Sequence, residues 1–175
     1  MLKSVPDITA LRDRIKDRSS LDNPEVFSTV MRIMADIRSG GDTALRKFTM
    51  EFDGCNPGQF LVSEEEIALA YYQINSKLLD VIKKAVSNIT EYHEKQKQES
   101  WIWDKAPGIR LGQKITAVEK AGIYVPGGTA PLISSVLMNA VPANVAGVKE
   151  IIMCTPPDKN GDIDCGRIVA AVEAG

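Results

Sequence analysis

The feature that most constrains the fold is the run AGIYVPGGTAPLISSVLMNAVPANVAGVKEIIMCTPP, Ala121 to Pro157. An apolar segment ends in Pro-Gly-Gly, an apolar pattern at helical spacing follows, and a second apolar segment ends in Thr-Pro-Pro. Ile123–Val125 reads as a buried strand, Ser134–Ala146 as a helix closed by Gly147, and Glu150–Cys154 as a second strand. Parallel strands need a crossover of about a dozen residues, usually helical, so this spacing implies a parallel sheet. Pro142 falls inside the helix pattern, so a kink or a restart is expected there.

Parallel strands bring their carboxyl ends to one edge. Tyr124–Thr129 and Thr155–Pro157 are therefore expected side by side, where open α/β sheets bind ligands. Gly127 and Gly128 leave the backbone bare, so that a ligand can approach and either residue can take a positive φ. Pro126 and Pro131 stiffen the loop. The amides before Ser134 and the positive helix end favour phosphate or carboxylate. Yet PGGTAPLIS is neither G-x-G-x-x-G nor a P-loop, and no acidic residue about twenty positions on sits clearly at a strand end to hold a ribose. The residues themselves leave two readings open: an anion or nucleotide site, or a tight strand–helix turn whose glycines serve packing.

Upstream the pattern is helical. Asn23 and Pro24 suit a helix start. Val26, Phe27, Val30, Met31, Ile33, Met34 and Ile37 form an apolar stripe, and Gly40-Gly41 is expected to end it. Asp42 caps a short second helix, TALRKFTMEF. Ser63 and Glu66 form a capping-box pattern. Two helices follow, or one kinked near Asn75, with Ser76 as a fresh cap. Alternation then suggests short strands at Ile109–Gln113 and Thr116–Val118. The fold class expected is α/β: a helical N-terminal region, 1–120, followed by the start of a parallel sheet, 121–175. The last stretch, CGRIVAAVEAG, reads as a helix that has barely covered its strand, and the expectation is a fragment of a longer chain.

Net charge is -2, which gives no reason to expect nucleic acid or an anionic membrane surface. No apolar run approaches the roughly 18 residues of a membrane span, and the N-terminus lacks the apolar core of a signal peptide. Cys55, Cys154 and Cys165 are odd in number and widely spaced, which favours reduced thiols in a cytoplasmic protein. The one histidine, His93, lacks a second ligand at helical spacing and is read as a helix-end residue bonding a nearby carbonyl or carboxylate. Cys154 could act as a nucleophile but is expected as a small buried strand residue. A lowered pKa at Cys165 is conceivable near a helix start. Trp101 and Trp103 are expected to pack, and Glu64-Glu65-Glu66 to sit at a helix N-terminus favoured by the dipole.

GIYVPGGTAPLISSVLMNAVPANVAGVKEIIMCTPP resembles the signature of histidinol dehydrogenase. IRSGGDTALRKFTMEFD, AVSNITEYHEKQ and PGIRLGQKITAVEKAGIYVPGG resemble further parts of that family, in order, over nearly the whole chain from about Asp22 onward. The resemblance implies two successive NAD-dependent oxidations of L-histidinol, through histidinal to L-histidine, by a zinc-containing homodimer with two incomplete Rossmann-like domains. It implies that Ala121–Gly175 begins one such domain and that Tyr124 contacts NAD, with Gly127 and Gly128 lining the cofactor loop. The family's zinc ligands (Gln, Asp, His) and its Glu-His acid-base pair lie beyond the signature and match no position here. No catalytic residue and no metal ligand is therefore assigned, and the 175-residue chain alone is expected to be inactive. Two other readings keep the same descent without catalysis: a stand-alone nucleotide-binding domain, and a domain used for dimerisation. An incomplete sheet is also expected to expose an apolar face and to self-associate through it.

Overall fold

The computed structural model describes residue 12 and residues 24–127 and 130–175. The chain divides into two compact units, Met1–Glu51 and Phe52–Gly175.

In the first unit, helix α1 (Pro24–Phe52) starts at the proline, where a missing N–H costs no hydrogen bond. The capping role expected of Asn23 lies outside the described residues. The two helices expected around Gly40-Gly41 form one span, kinked at Gly41, whose φ of 55° and ψ of -140° are non-helical. Glycine takes that conformation without a Cβ clash, so the break read from the sequence is present as a kink and not as a stop. The apolar stripe is helical, but Val26, Phe27, Val30, Met31 and Met34 are exposed.

The second unit opens with α2 (Glu64–Gln73) and α3 (Ser76–Glu94). The capping box is complete: Glu66 N–H donates to Ser63 Oγ at 3.2 Å, and Ser63 N–H donates to Glu66 Oε2 at 2.7 Å. The cap of α3 is Asn75, not Ser76, with Asn75 Oδ1 accepting from Lys77 N–H at 2.9 Å. Strands β1 (Trp101–Ala106) and β2 (Ile109–Gln113) form an antiparallel hairpin turning at Pro107-Gly108, with a register shift between Asp104 and Ala106. Gly108 supplies the left-handed turn residue at φ 79°. Every residue of both strands is exposed, so the packing expected of Trp101 and Trp103 is not made among the described residues. The strand expected at Thr116–Val118 is not formed. The Ser100 hydroxyl satisfies both backbone groups of Ile115 (2.8 and 3.2 Å), closing the hairpin's mouth before a further ladder residue can form.

Strand β3 (Lys120–Tyr124), helix α4 (Ile133–Val145), strand β4 (Glu150–Cys154) and helix α5 (Cys165–Glu173) follow. The two strands pair in parallel, from Lys120↔Glu150 to Tyr124↔Cys154, and α4 packs on both. The α/β class and the crossover expected from spacing are present. Pro142 lies inside α4 without ending it, and the restart is not seen; its carbonyl accepts from Ala146 N–H at 2.9 Å. Helices α2 and α3 pack on α4 and α5 around Ala70, Ile74, Ile82, Val125, Val136, Leu137, Ala140, Val141, Val169 and Ala170. Each such buried Val, Leu or Ile contributes roughly 1.5–3 kcal/mol. Tyr71 donates to Glu173 Oε1 at 2.7 Å, joining α2 to α5.

The described residues cover one face of the two-stranded sheet. Ala121, Ile123, Ile151 and Met153 are half-buried, while Tyr124, Ile152 and Cys154 are exposed. The expectation of fully buried strands, and of a buried Cys154, is thereby corrected. Side chains alternate along a strand, so Cys154 lies on the face opposite Met153, away from the helices.

Candidate functional site

The parallel register fixes where the two loops begin. Past Tyr124↔Cys154 the ladder adds one more bond, Val125 N–H to Cys154 O at 2.9 Å. The segments after β3 and β4 thus leave the same edge, as read from the sequence. Val125 is fully buried and anchors this end of β3, while Tyr124, one residue earlier, is 67% exposed. Its ring is free to stack and its hydroxyl to donate or accept.

Gly127 does not use a positive φ. Its value is space: a Cβ built there would lie 2.6 Å from Pro156 Cγ. The missing side chain lets the loop after β3 close onto the loop after β4. Gly128 and Thr129 lie outside the described residues. Leu132 precedes α4 in the left-handed region, at φ 49° and ψ 39°, and makes no side-chain cap. A non-glycine residue held there costs on the order of 1–3 kcal/mol, so the surroundings must hold the turn in place.

The residue that holds it was not singled out in the sequence. Arg167, in the first turn of α5, is 5% exposed. Its Nε donates to Pro131 O at 3.0 Å, its Nη1 to Thr155 Oγ1 at 2.7 Å, and Nη1 also faces Pro156 O at 3.5 Å. One guanidinium therefore bridges both loops of the edge. Asp164 orients the helix that carries it, its Oδ1 accepting from Arg167 N–H at 3.0 Å. Among the described residues, no carboxylate forms an ion pair with Arg167. A buried cation costs several kcal/mol to desolvate unless it is well hydrogen-bonded, and here neutral oxygens meet that need. The available signal was a single charge set in the apolar run Cys165–Val172.

Other candidates resolve plainly. His93 Nδ1 lies 2.6 Å from Gln96 Oε1, and the ring meets Tyr92 edge-on, so this helix-end ring bonds a neighbouring carbonyl oxygen as expected, that of a side-chain amide. Cys55 is a buried loop thiol, pushed up by burial and then by the Asp53 and Asp158 carboxylates, the opposite of a reactive thiolate. Cys165 is half-buried at the start of α5. The Glu66 carboxyl is held below its ordinary range by hydrogen bonds from Ser63, backbone first, then side chain, which marks it as a capping group. An open recess at the hairpin turn, lined by Asp104, Pro107 and Arg110, is spanned by the exposed Arg110–Asp104 ion pair. Among the described residues no three His, Cys, Asp or Glu side chains converge to hold a metal, and no helix is long and apolar enough to cross a membrane.

Known proteins match nearly the whole of this chain. A family model described as histidinol dehydrogenase matches residues 16–175. The histidinol dehydrogenase of Bacillus subtilis (strain 168) is 47% identical over 165 residues, which cover 93% of this chain and 39% of that protein. That of Heliobacterium mobile is 45% identical over 176 residues, covering 99% of this chain and 41% of the relative. The crystal structure of histidinol dehydrogenase from Elizabethkingia anophelis superposes with a TM-score of 0.79 at 31% identity, over all of this chain and 36% of that one. The chain spans about two fifths of the length of the relatives it matches.

Proposed function

This chain belongs to the histidinol dehydrogenase family, and from that premise we propose that it supplies part of the coenzyme edge of an NAD- and zinc-dependent enzyme that oxidises L-histidinol through histidinal to L-histidine. The observation that carries the reading is the placement of Tyr124. It is exposed, it ends β3 at the carboxyl edge, and the Pro126-Gly127 turn and the Thr155-Pro156 turn flank it.

In this reading Tyr124 holds the coenzyme by stacking or by its hydroxyl, while Gly127 and Gly128 keep the loop free of side chains. NAD when bound supplies the hydride acceptor. The chain's own part is to bind and orient it. Ladder bonds fix β3 against β4, and the buried Val125 holds the start of the loop in place. Oxidation of an alcohol and then of a hydrated aldehyde also requires a base at the reacting oxygen. No residue of this chain is assigned that role, and none is assigned to zinc. Those groups belong to the part of the family enzyme that this sequence does not span. The sheet is then the beginning of an incomplete Rossmann-like domain, and the working enzyme is a cytoplasmic homodimer without nucleic-acid partners.

The test has two arms. Titration of NAD into the 175-residue chain and into its Tyr124→Ala variant is expected to show weaker binding in the variant. Equal affinity of the two removes Tyr124 from the site. Incubation of the chain with L-histidinol and NAD is expected to yield no NADH, and turnover by the chain alone would overturn the division of labour proposed here.

A further inference from the structure

We infer that the Arg167 guanidinium is a clamp that sets the spacing of the two edge loops, and that it is thereby a positioning residue for the coenzyme. The coenzyme half of this inference rests on the function proposed above; the clamp itself rests on geometry. Nε reaches the loop after β3 at Pro131 O (3.0 Å) and Nη1 reaches the loop after β4 at Thr155 Oγ1 (2.7 Å).

The two acceptors lie on segments joined through α4 and β4, and among the described residues the guanidinium is the side chain that ties both. A planar fork with fixed nitrogen spacing can hold both acceptors at a set separation, whereas a lysine ammonium is a single donor centre and cannot. Gly127 and Pro156 supply the matching contact from the outer side, because the loops touch where a Cβ would collide. The guanidinium is pulled inward by the clamp and meets only neutral oxygens in the described structure. A purely structural arginine on a buried helix face is expected to meet a carboxylate. Here the unneutralised charge also raises the potential at the edge where an anionic dinucleotide would lie.

The experiment compares Arg167→Lys, Arg167→Met and Thr155→Val with the wild-type chain. Ser63→Ala serves as a variant weakened far from the edge. NAD affinity is measured by calorimetry, and amide exchange by NMR without NAD at Val125 and Ser135, whose N–H groups donate to Cys154 O and Leu132 O at the two ends of the loop after β3. Arg167→Lys and Arg167→Met are each expected to weaken NAD binding at least about tenfold, the equivalent of one charge-assisted hydrogen bond. Exchange at both amides is expected to quicken in both variants. Thr155→Val, which loses one arm of the fork, is expected to do the same to a smaller degree, and Ser63→Ala to leave NAD affinity unchanged. Wild-type affinity in Arg167→Lys overturns the positioning role, as does equal loss in Ser63→Ala. If Arg167→Met does not fold, the lysine and valine variants decide. If the wild-type chain binds no NAD, the proposed function falls, and the exchange rates alone judge the clamp: unchanged rates at Val125 and Ser135 overturn it.

Discussion

Substituting Gly127 by alanine tests the closeness of the two edge loops directly. The added Cβ would stand 2.6 Å from Pro156 Cγ, whereas ordinary contact begins at 3.4 Å, so one loop must retreat by 3.4 - 2.6 = 0.8 Å or more. Pro156 is a rigid ring and cannot swing aside as a long side chain would. Its carbonyl already lies 3.5 Å from Arg167 Nη1, at the limit of a hydrogen bond, so retreat also strains the guanidinium bridge. Overpacking of this kind costs about 1–3 kcal/mol. Against it runs the lower entropy of the unfolded chain, worth roughly 0.4–1 kcal/mol to a Gly→Ala change at a compatible φ, and the φ of Gly127 is not positive. The clash is the larger effect, so Gly127→Ala is expected to lose about 1–2 kcal/mol, read as a melting temperature lower by roughly 2–8 °C. Urea and thermal denaturation followed by circular dichroism measure it. Pro156→Ala in the same chain removes the obstacle, and the pair should show a coupling of about 0.5–2 kcal/mol toward recovery. A Gly127→Ala chain as stable as wild type, or one that Pro156→Ala does not rescue, refutes the close approach.

Ser63→Ala removes one half of the capping box and is expected to cost about 1 kcal/mol of stability in urea denaturation. The Glu66 carboxyl, held low in the folded chain, stabilises above its unfolded value of about 4.3 and loses that contribution as pH falls through the lower folded one; in Ser63→Ala this acid dependence should shrink, because the side-chain bond is gone while the backbone donor remains. Burial first, and then the Glu173 carboxylate, push the Tyr71 phenol up to about 12. Its folded value exceeds the unfolded one near 10, so its contribution is complete below about pH 10 and is lost as pH rises through the folded value. Tyr71→Phe should flatten the alkaline fall in stability, and identical slopes in the two chains would show that this hydrogen bond does not report on folding.

The sequence was most legible where structure is local. The Ser63–Glu66 box closes within three residues, and both of its hydrogen bonds are present. The break at Gly40-Gly41 was placed correctly but misjudged in kind, because a glycine can bend a helix as well as end one. Asn75 and Ser76 are both good caps; the backbone turned extended at Ile74 and Asn75, which gave the role to the earlier residue. The hairpin was half seen. Ile109–Gln113 alternates, but its partner Trp101–Ala106 reads as a packing aromatic pair until Pro107-Gly108 is recognised as a turn. Burial was the weakest inference. Alternation along β3 and β4 says which residues share a face, and no residue type says whether anything lies against that face.

The edge itself divides in the same way. Tyr124 was assigned by family resemblance, and the position of the Pro-Gly-Gly turn followed from strand–helix–strand spacing, since parallel pairing leaves few other places for it. Arg167 could not be found so, because its acceptors stand 36 and 12 residues away in the chain and only the folded crossover brings them within reach of one side chain. That difference has a physical consequence. A loop made only of local choices, with two prolines, two glycines and a left-handed Leu132, would keep its shape in any context that preserves the turn. The loop seen here instead borrows its shape from α5, through a fork that fails if either acceptor shifts by the width of a hydrogen bond. Motion of α5 is therefore transmitted to the carboxyl edge of the sheet, and stiffening of α5 by its Asp164 cap and its Tyr71–Glu173 bond stiffens that edge as well.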